Sequence, residues 1–330
     1  MNALEKKELY LSTGDSRIDK ILGGGIRSGI LTEIVGESSA GKTQLCFQLC
    51  LTAQLPLELG GLGGEVVYIL TEEKFSLKRM EQLIPLFYRR LGIDYCSESF
   101  SSPQKVSKSN TNSKNQSNDC ESRDNIDKYA IRDILKKIHI RFYFDKDQLS
   151  FGVIHQLPDF VEKNNVKLIV IDSIAAVMRF HYESISSHIN NEMELYYERN
   201  EMLISIANSL KKTAFKNNCA VVCVNQVSDK ILDLNEKLSN FMIPSTNHNS
   251  NLDKTPALGP KWASSVNAQI FLKLKRANNS SNTITNDEVN PESQVSANRR
   301  WITGSRIPWA GQETEEFYIS GSGIHAVHHS

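Results

Sequence analysis

The stretch EIVGESSAGKTQLCFQL, Glu33 to Leu49, decides the reading of the fold. An apolar run stops at Val35, gives way to small residues and glycine, and resumes as a helix-like pattern that carries a lysine. Gly36 to Thr43 spells Gly-x-x-x-x-Gly-Lys-Thr. An ordinary strand-to-helix loop needs turn residues but not that spacing. Small residues and two glycines let the backbone curl so that successive N–H groups point inward at an anion. A helix opening near Lys42 adds the positive end of its dipole. The motif therefore marks a nucleotide-phosphate site on Gly36, Glu37, Ser38, Ser39, Ala40 and Gly41, with Lys42, Thr43 and Gln44 on the first helical turn. Lys42 is expected to reach the β- and γ-phosphates of ATP, and the Thr43 hydroxyl to hold Mg²⁺. The context fits, because GILTEIV reads as a strand and KTQLCFQLCLTAQL as a helix. A strand–loop–helix connection that matches by chance is the plainer alternative.

Working outward, the 330 residues carry 38 Lys and Arg against 38 Asp and Glu. That balance lacks the global basic excess of a constitutive nucleic-acid binder. The six cysteines form no metal-like set. Cys46 and Cys50 share one face of the expected helix, and Cys219 and Cys223 have the same parity in an expected strand. Buried, reduced thiols are expected, and with them a reducing compartment. No apolar run reaches membrane-spanning length. The N-terminal MNALEKKELYL lacks the apolar core of a signal peptide. A soluble intracellular protein with no membrane partner is expected.

Strand-like and helix-like runs alternate along most of the chain. Strands are expected at EVVYIL (Glu65–Leu70), IHIRFYF (Ile138–Phe144), KLIVIDS (Lys167–Ser173) and CAVVCVNQV (Cys219–Val227). Helices are expected over Ser76–Leu91, kinked or shortened by Pro85, around Gln148–Lys163, and over Asn191–Lys216. This is the βαβ alternation of a mostly parallel twisted sheet flanked by helices, an α/β class. The chain ends in strand-like pieces, EEFYIS and GIHAV, as a C-terminal β-hairpin region. Residues 96–127 and 278–298 are rich in Asn and Ser and poor in apolar residues, and they are expected to be disordered insertions. Ser228 to Pro256 reads as a polar loop.

A phosphate loop does not name a reaction. Asp172 closes KLIVID, where a parallel sheet gathers its ligands, and is the candidate partner of Mg²⁺ or its waters; a capping Asp is the plainer alternative. The next residue is Ser173 and not an acid. The substitute lies at Thr71, Glu72 and Glu73, where a strand-end carboxylate would accept a proton from, or orient, an attacking water. Exposed acids that merely open a helix would look the same. Asn225 and Gln226 end another buried strand, placing an amide either to sense a γ-phosphate or simply to turn the chain.

The ordered segments ILGGGIRSGILTEIVGESSAGKTQL, YILTEEKFSLKRM, LIVIDS and VVCVNQV resemble the four motifs of RecA-type recombinases. Within that superfamily the chain resembles the eukaryotic Rad fifty-one paralogue group. AGKTQLCFQLCLTAQLP, VVYILTEEKFSLKRMEQL, PALGPKWASSV and FYISGSGI are most similar to the X-ray repair cross-complementing protein three type. The resemblance implies a RecA-like P-loop NTPase core over residues 11–330, after a short extension at 1–10. It implies an ATPase at work in the nucleus, in homologous recombination, double-strand-break repair and Holliday-junction processing. Glu72 is then the counterpart of the catalytic glutamate, acting with Lys42, and Gln226 is the phosphate sensor that heads the second DNA-facing loop. The implied partners are a Rad fifty-one C type paralogue, as a heterodimer, and the recombinase filament. Family members carry a small helical domain before the core. Only residues 1–10 precede it here, which implies a lost domain or a truncated gene model. Glu73 stands where the core recombinases have glycine, which weakens the expectation of fast hydrolysis.

Single-stranded or branched DNA is expected to be met through the complex. The first loop, Arg179 to Asn190, has one arginine, and the second, Ser228 to Pro256 with Lys230 in it, carries about as many acids as bases. Phosphate neutralisation needs clustered Lys and Arg. Phe180 and Tyr182 would either stack on bases or anchor the loop. Lys273, Lys275, Arg276, Arg299 and Arg300 form either a basic rim or a solvated strand face. The reading is a recombination mediator. The alternatives are a core strand-exchange recombinase and a scaffold with a structural nucleotide.

Overall fold

The computed structural model describes residues 8–72, 75–93, 129–178, 192–229, 254–276 and 298–328. Strands β1 (Tyr10–Leu11) and β2 (Ile26–Arg27) pair around helix α1 (Ser16–Ile21), which Asp15 caps by accepting the Arg17 and Ile18 amides. Strand β3 (Leu31–Gly36) runs through the phosphate-loop sequence into α2 (Lys42–Thr52). Next come β4 (Glu65–Leu70), α3 (Leu77–Arg90) and β5 (Ile138–Phe142). Helix α4 (Lys146–Phe151) passes through a π-helical segment, Gly152–Gln156, into α5 (Leu157–Lys163). Then follow β6 (Val166–Asp172), the long α6 (Glu192–Asn217) and β7 (Ala220–Asn225). The short pair β8 (Val227–Asp229) and β9 (Lys254–Pro256) leads through α7 (Gly259–Ser265) to β10 (Ala268–Arg276). The chain closes with β11 (Asn298–Arg306), β12 (Thr314–Ser320) and β13 (Gly323–Ala326).

Nine strands form one sheet in the order β13-β12-β11-β10-β3-β7-β6-β4-β5. From β10 to β5 every neighbour is parallel, and from β10 to β13 every neighbour is antiparallel. This is the mostly parallel, helix-flanked sheet expected of the RecA type, with an antiparallel C-terminal extension. Side chains on a strand alternate between faces, so a strand apolar throughout feeds two cores. Val66, Tyr68 and Leu70 of β4 enter one core, while Val67 and Ile69 enter the other. In β7, Val222 and Val224 part from Val221 and Cys223 in the same way.

Three local expectations are revised. Helix α3 is not shortened at Pro85 and runs from Leu77 to Arg90. A proline there loses one backbone bond, but Leu83 and Ile84 before it and Phe87 and Tyr88 after it are all buried, and their packing offsets that loss. The flanks of the expected loop at 228–256 are ordered, because Val227 pairs with Pro256 and Asp229 with Lys254. Asn298, expected to end an insertion, instead opens β11. Residues 96–127, 278–297 and the DNA-loop candidates Arg179, Phe180, Tyr182 and Lys230 lie outside the described residues, as does Glu73.

Cys46, Cys50, Cys219 and Cys223 are free and buried, and burial raises each thiol's pKa, that of Cys219 to about 12. A thiol that cannot ionise does not react. A thiol reagent at pH 8 is therefore expected to label at most Cys96 and Cys120 of the six cysteines in the native protein, and all six in denaturant. Native labelling of more than two would refute this. Among the described residues no helix is long and apolar enough to cross a membrane.

Candidate functional site

Because β3, β4, β6 and β7 run parallel, their C-terminal ends open on one edge of the sheet. Gly36 ends β3, Thr71 and Glu72 follow β4, Asp172 ends β6, and Gln226 follows β7. The cleft there has a volume of about 730 Å³ and is lined in part by Lys42, Thr43, Glu72, Asp172, Ser173 and Gln226. Sequence positions 36 to 226 thus meet in one place.

The loop has the curl that anion binding requires. Ser39 and Gly41 adopt positive φ, 63° and 111°, which turns consecutive amides toward one side. Lys42 Nζ lies over the loop and donates to the carbonyls of Gly36 at 2.8 Å and Glu37 at 2.7 Å. Burial lowers the Lys42 pKa, and the negative charges around it, Asp172 foremost, act against that shift. Ala40 is fully buried and packs into the core beneath the loop, while Ser38 and Ser39 line the cleft.

Thr43 Oγ1 donates to Asp172 Oδ2 at 2.8 Å, and the Tyr68 hydroxyl donates to the same oxygen at 2.9 Å. Burial, then the Asp172 charge, hold the Tyr68 phenol in its neutral, donating form by raising its pKa. Sequence reasoning missed Tyr68, although a phenol inside an apolar strand must find an acceptor. Two hard oxygens side by side, next to a cradle of amides and an ammonium, are the donor set for a divalent cation bound to a phosphate chain. The residues present fit that pair of ligands.

At the adjoining strand ends, Gln226 Nε2 donates to Glu72 Oε2 at 2.9 Å. Ser173 Oγ donates to the same carboxylate at 3.4 Å, and Thr71 Oγ1 ties the two strand ends by donating to the Ser173 carbonyl at 2.6 Å. Asn225, the other strand-end amide, does not face the cleft. It turns into the core, where Nδ2 donates to Glu33 at 2.7 Å. Strand alternation requires this, because adjacent residues point to opposite sides.

Two further contacts had no sequence signal. Arg79 donates to Gln44 at 2.9 Å and to the Ser320 carbonyl at 2.8 Å, joining the first turn of α2 to the β12–β13 turn. Lys254 pairs with Glu37 at 3.0 Å, joining β9 to the phosphate loop. The five-residue basic set divides. Arg299 is bound by Glu316, Arg300 reaches back to the Ser39 carbonyl at 3.4 Å, and Lys273 and Lys275 lie exposed on β10.

The family model described as Rad51 matches residues 5–95, the segment that holds the phosphate loop and Glu72. Over the whole length, the DNA repair protein XRCC3 homolog of Arabidopsis thaliana is 30% identical across 323 residues, 96% of this chain and 93% of that protein. The chain belongs to the Rad51 family. The DNA repair protein rhp57 of Schizosaccharomyces pombe is 31% identical over 295 residues, 86% of this chain and 75% of that one. The mouse DNA repair protein XRCC3 is 32% identical over 264 residues, covering 80% of this chain and 62% of its own length. These relatives are paralogues within the RecA-type superfamily, and the matched segment supplies Lys42, Thr43 and Glu72 to the cleft, while Asp172, Ser173 and Gln226 come from beyond it.

Proposed function

We propose that this chain is the ATP- and Mg²⁺-binding subunit of a recombination mediator, acting with a second Rad51-type paralogue and the recombinase filament in double-strand-break repair in the nucleus. The observation that supports the nucleotide half is the convergence of Lys42, the Thr43–Asp172 oxygen pair and the Glu72–Gln226 pair on one cleft. The recombination half is supported by the relatives, each named a DNA repair protein.

The roles follow from position. The loop amides and Lys42 bind the phosphate chain. Thr43 and Asp172 hold Mg²⁺ directly or through its waters, with Asp172 oriented by Tyr68. Glu72, held by Gln226 and Ser173, positions an attacking water and takes its proton. Bound Mg²⁺-ATP supplies the phosphoanhydride and the charge that Lys42 neutralises. Single-stranded or branched DNA is met through the assembled complex.

The test has two arms. The purified chain is expected to bind ATP in a Mg²⁺-dependent manner, and Asp172→Asn to lose roughly tenfold in affinity with Mg²⁺ present but little without it. Tagged protein drawn from its own cells is expected to bring down a second RecA-like chain. Absence of ATP binding overturns the nucleotide half. Recovery of the chain alone, or with proteins unrelated to recombination, overturns the mediator half.

A further inference from the structure

The buried carboxylate of Glu33 serves neither the phosphate loop nor the cleft. It stands in the middle of β3 with no exposed surface, in a strand that is otherwise apolar apart from Thr32 and Gly36. Three N–H groups converge on it. Asn225 Nδ2 and Trp262 Nε1 donate to Oε1 at 2.7 and 2.8 Å, and Gln269 Nε2 donates to Oε2 at 2.7 Å. All three donors are neutral. A buried carboxylate is costly unless its lone pairs are met, and here they are met from three separate elements.

Those elements are informative. Asn225 ends β7 and immediately precedes Gln226, whose side chain holds Glu72 and whose carbonyl accepts the Ala257 amide at 2.9 Å. Trp262 lies on α7, just after β9, whose Lys254 holds Glu37 of the phosphate loop. Gln269 is the second residue of β10, the parallel neighbour of β3, and is the register partner of Glu33. The phosphate loop itself begins at Gly36, three residues beyond Glu33. The carboxylate therefore joins the strand that carries the phosphate loop to both flanks of the 230–253 segment. The Asn225 amide is held on one side alone, because its Oδ1 is buried with no hydrogen-bond partner.

We propose that Glu33 is a positioning residue: it fixes the end of β7 and the middle of α7 against the phosphate-loop strand, and so sets Gln226 against Glu72. This rests on the nucleotide reading above. A carboxylate is acceptor-only, which suits three converging donors. In Glu33→Gln the side chain keeps its shape, and its one oxygen still serves Asn225 and Trp262. Its NH₂ then faces that of Gln269, which is itself fixed because its Oε1 accepts from Ser305 Oγ at 3.0 Å. The exchange Glu33→Gln with Gln269→Glu restores the match of donor to acceptor.

The experiment follows the Trp262 indole N–H resonance during ATP titration in the full chain, together with ATP affinity, turnover and urea denaturation. In the wild type, ATP is expected to shift that resonance. In Glu33→Gln the ATP-induced shift is lost and turnover falls roughly tenfold, with ATP affinity kept within about twofold. The paired exchange is expected to restore both. The inference is overturned if Glu33→Gln lowers the urea midpoint yet keeps the wild-type ATP response and turnover, or if wild-type protein binds ATP with no Trp262 response. A wild type that does not bind ATP overturns the nucleotide reading itself, a result distinct from either of these.

Discussion

Replacing Lys42 by alanine is expected to weaken ATP binding roughly a hundredfold, about 2.7 kcal/mol, which is the loss of one charge-assisted partner to a polyanion. The fold should survive, because the side chain's bonds in the protein are to the loop carbonyls of Gly36 and Glu37, and burial already disfavours its charge. Stability is therefore expected to change by no more than about 1 kcal/mol. Lys42→Arg should not rescue binding, because a wide planar guanidinium does not replace a point charge on a slim stem. Titration with a fluorescent ATP analogue, beside a urea unfolding curve, separates the two effects. Retention of wild-type affinity in Lys42→Ala would remove the loop from the binding site.

Gly36→Ala is expected to cost about 3 kcal/mol or more of stability. Gly36 is the partner of Leu272 in the parallel β3–β10 register. A Cβ at Gly36 would lie 2.5 Å from the Leu272 carbonyl oxygen and 3.1 Å from its Cβ. The nearest atom is backbone, so relief requires β3 and β10 to move apart. That movement also tilts the first residue of the phosphate loop, and ATP binding should fall with stability. Gly311→Ala is the control: a Cβ there meets nothing within 4 Å, so its effect should stay within about 0.5 kcal/mol. Equal urea midpoints for the two variants would refute the account.

The two substitutions test different kinds of information. Lys42 was identifiable from eight consecutive residues, because a phosphate loop is a local object: its chemistry lies in the spacing of glycines and in the helix that follows. The same spacing calls for glycine at 36, but nothing within several residues of it supplies the clash that a side chain there would meet. The obstructing atom belongs to Leu272, on a strand that enters the sheet much later in the chain.

The same division runs through the site. Asp172 and Gln226 could be placed at the cleft from sequence, since runs of apolar residues that alternate with helices make a parallel sheet, and such a sheet gathers its strand ends on one edge. The Tyr68–Asp172, Gln226–Glu72, Arg79–Gln44 and Lys254–Glu37 contacts could not be read that way. Each depends on which strands are neighbours and on which face a side chain leaves its element. Asn225 shows how sharp that limit is: one residue from Gln226, it faces the opposite side and belongs to the Glu33 cluster.

By itself, then, the sequence determined the α/β class, the phosphate loop, the strand ends and the balance of charge, because periodicity and local spacing follow from backbone geometry alone. The tertiary structure decided the strand order, the partners of each carboxylate and the burial of Glu33. Those depend on packing between segments far apart in the chain, where the cost of an unmet polar group selects one arrangement.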